Sequence, residues 1–257
     1  MRRILINLYK IKALNRVVPS AFKIFIKIIN KYKFIIVHNK LLLILNLRNP
    51  IDREIYLKDS YEYEQITYLK NLIIKDRLEI LIDVGAHMGF YSINLSGLIK
   101  NTYSFEPILK NYNQLTKNIE INNFKNIKTY NVALGNVKEE VEMWVPNKDK
   151  TGGFSIYDEA DEELKVYKPD SLHKEKVSSN ILDAILFFKN KKIVIKVDVE
   201  RHEKKVIEGA VSLLKNNEVL IQVEIFESRK KEVFEILKKL NYKLINVINK
   251  DHYFKNY

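Results

Sequence analysis

Two runs of this chain crowd acids, glycines and basic groups into spacings that packing alone does not require. The first is Leu81-Ile82-Asp83-Val84-Gly85-Ala86-His87-Met88-Gly89-Phe90-Tyr91. An apolar stretch ends in an acid, two glycines follow, and a segment of helical spacing begins. That order predicts a strand, a tight turn and a helix start, a unit that brings backbone close to a ligand and aims a helix N-terminus at it. The pattern is D-x-G-x-x-x-G, neither the G-x-G-x-x-G of dinucleotide sites nor the G-x-x-x-x-G-K-[ST] of a triphosphate cradle. An acid just before such a turn suits a ligand with a positive end, such as the ammonium of S-adenosylmethionine. Glu106 follows 23 residues after Asp83. An acid at that distance is placed to accept both ribose hydroxyls of a nucleoside ligand, although a helix cap beside Pro107 would account for Glu106 alone.

The second run is Lys196-Val197-Asp198-Val199-Glu200-Arg201-His202-Glu203. Lys196 and Asp198 are two apart and share a strand face. Asp198 and Glu200 are the candidate bases, with His202 third. Lys196 could hold Asp198 ionised or stabilise a developing alkoxide. Helix capping would account for one or two of these side chains, but not for the whole cluster. Glu224, inside Gln-Val-Glu-Ile-Phe, points to the same edge. One acid pair without a clear histidine set does not make a metal site, so no metal is expected.

These residues must be carried by a sheet. From residue 79 the chain alternates short apolar runs with helical periodicity: strands over 79–84, 103–105, 127–133, 193–199 and 219–226, and helices over 89–99, 108–122, 203–215 and 229–240. Such alternation predicts a parallel sheet with helices on both faces, whose ligands sit beyond the carboxyl ends of the strands. Residues 139–145 read as an added strand. The polar stretch 147–170, with Gly152-Gly153, reads as a mobile loop, and 242–248 with 252–257 as a final strand pair.

The chain has 257 residues, no cysteine and a formal net charge of +12. Disulfides and thiolate metal sites are thereby excluded. No apolar run approaches the roughly 20 residues of a membrane-spanning helix, and Lys10 and Lys12 interrupt the apolar start too early for a cleaved leader. A cytoplasmic protein is expected. The charge is uneven. Residues 1–51 hold eleven Lys/Arg and no acid, leaving 33 basic against 32 acidic groups in the remaining 206. Residues 1–50 therefore read as a basic extension and 51–257 as the catalytic domain. Within the extension, 20–33 reads as an amphipathic helix with Lys23, Lys27 and Lys31 on one face, and 34–38 with 41–47 as a strand pair. Residues 1–33 could touch an anionic membrane surface, at the inner face of the membrane, or the helix could simply pack on its own domain.

The motifs together resemble the FkbM-type methyltransferases, a group of S-adenosylmethionine-dependent enzymes. The resemblance runs from about Asp59 to the C-terminus. It rests on Tyr61-Glu62, Ile82 to Gly89, Phe105-Glu106-Pro107, Asn131-Val132-Ala133-Leu134, Ile195 to Glu200 with Glu203, and Glu224-Ile225. It implies a Rossmann-like class I methyltransferase fold: a mostly parallel sheet with helices on both faces and a C-terminal antiparallel strand. It also implies methyl transfer, usually to a hydroxyl of a sugar or natural product, as in polysaccharide biosynthesis. By this resemblance Gly85, Ala86, His87 and Gly89 match the cofactor loop. Glu106, beside Pro107, matches the ribose acid, Asp83 the acid near the methionine part, and Asn131 to Ala133 the adenine contacts. Arg201 departs from the family, which usually has glycine there. A small-molecule or glycan acceptor is the expected partner. An RNA methyltransferase and a non-catalytic scaffold of the same fold are the alternatives. The near-neutral body, without basic clusters interleaved with aromatics, speaks against nucleic acid.

Overall fold

In a computed structural model the described residues are 2–58, 61–146 and 172–257. The basic front end forms α1 (Arg2–Lys10), α2 (Val17–Ile29) and an antiparallel pair, β1 (Lys33–His38) with β2 (Leu41–Asn46). The spacing places the second helix at 20–33, but it begins three residues earlier. Pro19 sits in its first turn, where the missing N–H costs nothing, and Asn30, left-handed at φ 50°, ends it. Asn49-Pro50 starts a further helix, α3 (Pro50–Leu57): the Asn49 side chain accepts from the Ile51 N–H and Pro50 occupies the first turn. The long α4 (Tyr63–Asp76) follows.

From residue 80 the chain alternates as its periodicity predicts. In chain order it runs β3 (Ile80–Val84), α5 (Phe90–Leu95), β4 (Asn101–Phe105), α6 (Leu109–Ile121), β5 (Ile127–Tyr130), β6 (Ala133–Gly135), β7 (Glu139–Pro146), β8 (Leu172–Ile181) and α7 (Leu182–Ile185). It continues with β9 (Lys192–Val197), α8 (Glu203–Glu208), α9 (Val211–Lys215), β10 (Glu218–Glu224), α10 (Lys230–Lys239), β11 (Lys243–Ile248) and β12 (Asp251–Lys255). The main sheet has the order β11-β12-β10-β9-β3-β4-β5. Strands β5, β4, β3, β9 and β10 are parallel, and β12 is antiparallel to both β10 and β11. This is a doubly wound, Rossmann-like α/β sheet with one reversed C-terminal strand.

Three elements differ from their sequence reading. The run 127–133 divides at Asn131, and its second half joins a separate sheet of order β6-β8-β7. The run 203–215 divides at Gly209, because a Cβ there would overlap the Gly135 carbonyl of β6, so only glycine lets the two backbones meet. Strand β7 finds its antiparallel partner in β8, whose polar sequence does not alternate clearly. The predicted loop 147–170 lies outside the described residues.

One apolar cluster joins the front end to the body: Val18, Phe22, Ile26, Leu43 and Leu45 are buried with Leu69, Leu81 and Leu115. A second cluster fills the other face of the sheet around Ile82, Ile195, Ile221 and Leu237. The β3 and β9 strands are buried on both faces, as central parallel strands are.

Candidate active site

The sheet carries a row of polar side chains just below its tips. Ser104, Asp83, Lys196, Gln222 and Tyr253 are register partners across five adjacent strands, and each is buried. Buried polar groups call for hydrogen-bond partners, and neighbouring helices and loops supply several of them here, while Asp83 Oδ1, Gln222 Oε1 and Tyr253 Oη have none among the described residues. Asp83 Oδ2 accepts from the Ser92 N–H (3.1 Å) and the Ser92 hydroxyl (2.6 Å), which caps the start of α5. Gln222 donates to Tyr91 Oη (3.1 Å) and Asp251 Oδ1 (2.7 Å). Asp83 therefore lies behind the glycine loop and holds α5 in place, rather than facing the cleft.

Above this row the tips open into a cleft of about 980 Å³, measured to its open mouth. Among the residues singled out by sequence, Glu106, Pro107 and Ala133 line it beyond β4 and at β6, Lys196, Asp198, Glu200 and His202 line it at and beyond the tip of β9, and Gly85, Ala86 and His87 line it between them on the loop after β3. Asp83, Gly89 and Asn131 are not in its lining. Gly89, at φ 87°, starts α5, and a Cβ on it would meet Leu115 Cδ1 at 2.5 Å. Asn131 turns its amide to the carbonyls of Glu106 (2.9 Å) and Pro107 (2.8 Å), so it stiffens the cleft wall from outside. Gly85, at φ 78°, is required by its neighbour: a Cβ would overlap the Asp198 carbonyl oxygen. The tips of β3 and β9 thus touch backbone to backbone, tying the loop to the acid cluster.

Glu106 is buried at the tip of β4. Its Oε2 accepts from the His87 N–H (2.9 Å), and its Oε1 from the Ile108 N–H (3.0 Å) and Asn111 Nδ2 (3.3 Å). A carboxylate has about four acceptor directions, so one on Oε2 remains for a ligand. Burial pushes this carboxyl up to about 7, against the pull of those donors. The neighbouring wall is apolar, from Phe105, Ile108, Val132 and Leu134, which suits a flat base.

The other end is charged. Lys196 Nζ stands 3.0 Å from Asp198 Oδ2 and 4.6 Å from the centre of the Tyr91 ring. Burial disfavours the ammonium, but Asp198, Asp83 and Glu62 outweigh it, so the Lys196 pKa is raised. Burial likewise works against ionised Asp198, but Lys196 and a hydrogen bond donated by Glu224 prevail and hold it below the carboxylate range. Glu224 is pushed up to about 9, by burial first and then by the Asp198 charge, and so keeps its proton. His202 is lowered to about 4 by burial and by the nearby Lys205 and Arg229, so its imidazole is neutral. Glu203 faces inward, accepts from the Arg201 N–H (2.8 Å) and starts α8. Residues 200 and 201 are both left-handed, at φ 50° and 78°. A glycine would enter that conformation freely, whereas Arg201 is strained there and lays its guanidinium 5.0 Å from the Phe226 ring.

Sequence reasoning missed two site residues. Tyr61 and Glu62 line the cleft from the start of α4, Glu62 at a left-handed φ of 45°. They stand more than a hundred residues from Asp198, and only their place in the family motif could have drawn attention to them. With Glu62, Asp198 and Glu200 facing it and Lys196 the buried cation beside them, this end suits a cationic ligand. The residues fit S-adenosylmethionine: a carboxylate for the ribose, apolar walls for the base and acids for the sulfonium and ammonium. Among the described residues, no group of three His, Cys, Asp or Glu is arranged to hold a metal ion.

The strand order, the reversed last strand and the tip cleft define a Rossmann-like α/β fold with its candidate site at the strand tips. The model of the Methyltransferase FkbM domain matches residues 83–244, and the chain belongs to that family. No curated protein matches significantly. Similar solved structures include a methyltransferase FkbM from Methylobacillus flagellatus KT (17% identity, TM-score 0.46), aligned over 70% of this chain and 44% of that protein. The chain thus spans less than half the length of that relative. TYW2 from M. jannaschii, solved with AdoMet, is 14% identical with a TM-score of 0.44, over 88% of this chain and 84% of that one. The magnesium protoporphyrin IX methyltransferase of Synechocystis PCC 6803, solved with SAM, is 8% identical with a TM-score of 0.45, over 99% and 95%.

Proposed function

We propose that this protein transfers the methyl group of S-adenosylmethionine to a hydroxyl oxygen of a sugar, glycan or related small molecule, on the cytoplasmic side of the membrane. The cofactor supplies a methyl already activated by its sulfonium, so the protein has to align an acceptor oxygen and take up its proton. Glu106 holds the ribose, and the loop Gly85 to His87 supports the methionine end. Asp198 is the base. With the cofactor bound, its S–CH3 bond would break as the O–CH3 bond to the acceptor formed, and the hydroxyl proton would pass to Asp198. S-adenosylhomocysteine is left. Lys196 steadies the developing alkoxide, and the protonated Glu224 donates a hydrogen bond to Asp198 that orients the carboxylate for proton uptake. Glu200 and the neutral His202 orient the acceptor.

The observation that carries this reading is the Asp198 carboxylate, kept ionised by Lys196 at 3.0 Å on the rim of the cleft that Glu106 closes at its far end. The acidic lining favours a neutral polyol over RNA, because a polyanion needs cations where its phosphates lie. The test uses cofactor labelled in its methyl group and an extract of the producing cells. Labelled product should carry the methyl on oxygen, and Asp198→Asn should abolish it while leaving cofactor affinity within about fivefold, the equivalent of about 1 kcal/mol for one lost charge contact. Full turnover by Asp198→Ala would remove Asp198 as the base, and no labelled product from any fraction of the extract would turn the reading toward a non-catalytic scaffold.

A further inference from the structure

Of the twenty large apolar side chains exposed among the described residues, ten lie between positions 4 and 37. That concentration is not chance scatter. On α2, Val17, Ile24 and Ile28 are 57%, 61% and 76% exposed. Their spacing puts them on one stripe, turned away from the Val18, Phe22 and Ile26 stripe that is buried on the core. Lys23 and Lys27 run alongside the exposed stripe, and Lys31 follows just beyond the helix end. Ile4, Leu8 and Ile11 make a second exposed row at and just beyond α1, and Ile35 and Val37 project from the outer face of β1. The first acid in the chain is Asp52, which is buried.

This face therefore offers aliphatic side chains set among cations, with no acid in the first 51 residues. We propose that it seats on an anionic lipid bilayer, with α2 lying in the plane of the headgroups. Charge complementarity selects that occupant. A second copy of the chain would bring one basic face against another. A nucleic acid would meet aliphatic side chains where stacking aromatics are needed. The helix has 13 residues, and no described helix is long and apolar enough to cross a membrane, so α2 lies on the surface rather than spanning it. The face is held to the body: Phe22 stacks on Tyr56 at 5.1 Å, and Arg2 donates to the carbonyls of Tyr56 (3.0 Å) and Ile55 (3.4 Å). On its inner side α1 presents Ile6 and Tyr9 to a hollow that ends on Tyr61 and Glu62, the same pair that lines the cofactor cleft. An acceptor carried in the headgroup layer would enter that hollow and meet Tyr61 and Glu62, which stand between it and the cleft that Asp198 lines. This consequence rests on the methyltransferase reading, whereas the docking does not.

The test is co-sedimentation of the full chain with vesicles of phosphatidylcholine, alone or mixed with phosphatidylglycerol. Binding should require phosphatidylglycerol and fall with added salt. A cation near an anionic surface contributes about 1 kcal/mol, or about fivefold. Lys23→Gln/Lys27→Gln/Lys31→Gln should thus lower the partition coefficient about 100-fold. Ile24→Ser/Ile28→Ser alters only exposed positions and should lower it about tenfold or more. Calorimetry with S-adenosylmethionine on the same variants should give wild-type affinity, which separates failed docking from a failed enzyme reading. Four results would overturn the proposal. They are no binding to the mixed vesicles, equal binding to phosphatidylcholine alone, partitioning unaffected by both variants, or a dimer in solution that Ile24→Ser/Ile28→Ser dissolves.

Discussion

Replacing Gly85 with alanine strikes the point where the cofactor loop meets the catalytic strand. Two costs add. Residue 85 sits at φ 78°, and an alanine in the left-handed region costs about 1–2 kcal/mol. The new Cβ would also overlap the Asp198 carbonyl oxygen and stand 2.9 Å from its carbon. Neither backbone can retreat cheaply. The Gly85 N–H donates to the Phe105 carbonyl (3.0 Å), and the Asp198 N–H to the Val84 carbonyl (3.0 Å). Overpacking of this kind costs about 1–3 kcal/mol, so Gly85→Ala should destabilise the protein by about 3 kcal/mol. Gly97→Ala is the control, because a Cβ there has nothing within 4 Å, and it should fall within about 0.5 kcal/mol of wild type. Equilibrium urea unfolding with an unchanged m-value reads both. The variant should also bind S-adenosylmethionine more weakly, since the strain is relieved by moving the loop away from β9. Equal stabilities for Gly85→Ala and Gly97→Ala would refute the claimed contact and the left-handed turn together.

Two further outcomes are expected. Lys196→Met leaves Asp83, Asp198 and Glu62 without their buried cation and should cost about 3 kcal/mol or more; adding Asp198→Asn should restore part of it, and a single-variant loss below about 1 kcal/mol by urea unfolding would contradict the charge assignment. Stability should also fall from about pH 5 to about pH 8. Glu106 and Glu203 are pushed up to about 7 and Glu224 to about 9, chiefly by burial. The folded protein thus keeps protons that the unfolded chain releases above its carboxyl value of 4.5, and stability is lost as pH rises through that window. His202, lowered to about 4 from 6.5, acts oppositely but is one group against three, so a melting temperature that rises with pH would contradict these burials.

The parts of the site that were legible in the sequence are those encoded locally. Asp83, the two glycines and Glu106 fall at ends of apolar runs, and the alternation of periods orders the sheet. The Lys196-to-Glu203 cluster announces itself because the charges are adjacent in the chain. What stayed hidden depends on contacts between distant segments. Asp83 reads as a ligand acid, yet Ser92 claims it as the cap of α5. Gly85 reads as room for a ligand, whereas the Asp198 carbonyl fills that room. The division of 203–215 is set by the Gly135 carbonyl on another sheet, and no helical periodicity carries that information. Glu62, Tyr91 and Gln222 become neighbours of Lys196 only after the strands are ordered. The helix in the basic front end overlaps the range its spacing predicts, starting three and ending four residues earlier, but its two apolar stripes serve different surroundings, and only burial tells them apart.

The most direct test of the account is a calorimetric titration of S-adenosylmethionine into the wild-type protein and Glu106→Gln, repeated across pH. Hydrogen bonds to a charged acceptor are worth about 1.5–3 kcal/mol, so the variant should bind about 10- to 100-fold more weakly. Because burial pushes Glu106 up to about 7, wild-type affinity should fall by up to tenfold for each pH unit below that value, and the variant should lose this dependence. Binding of one equivalent with that profile is the predicted result; no heat at millimolar cofactor, or equal affinity and equal pH dependence for both proteins, would contradict a cofactor held in this cleft by Glu106.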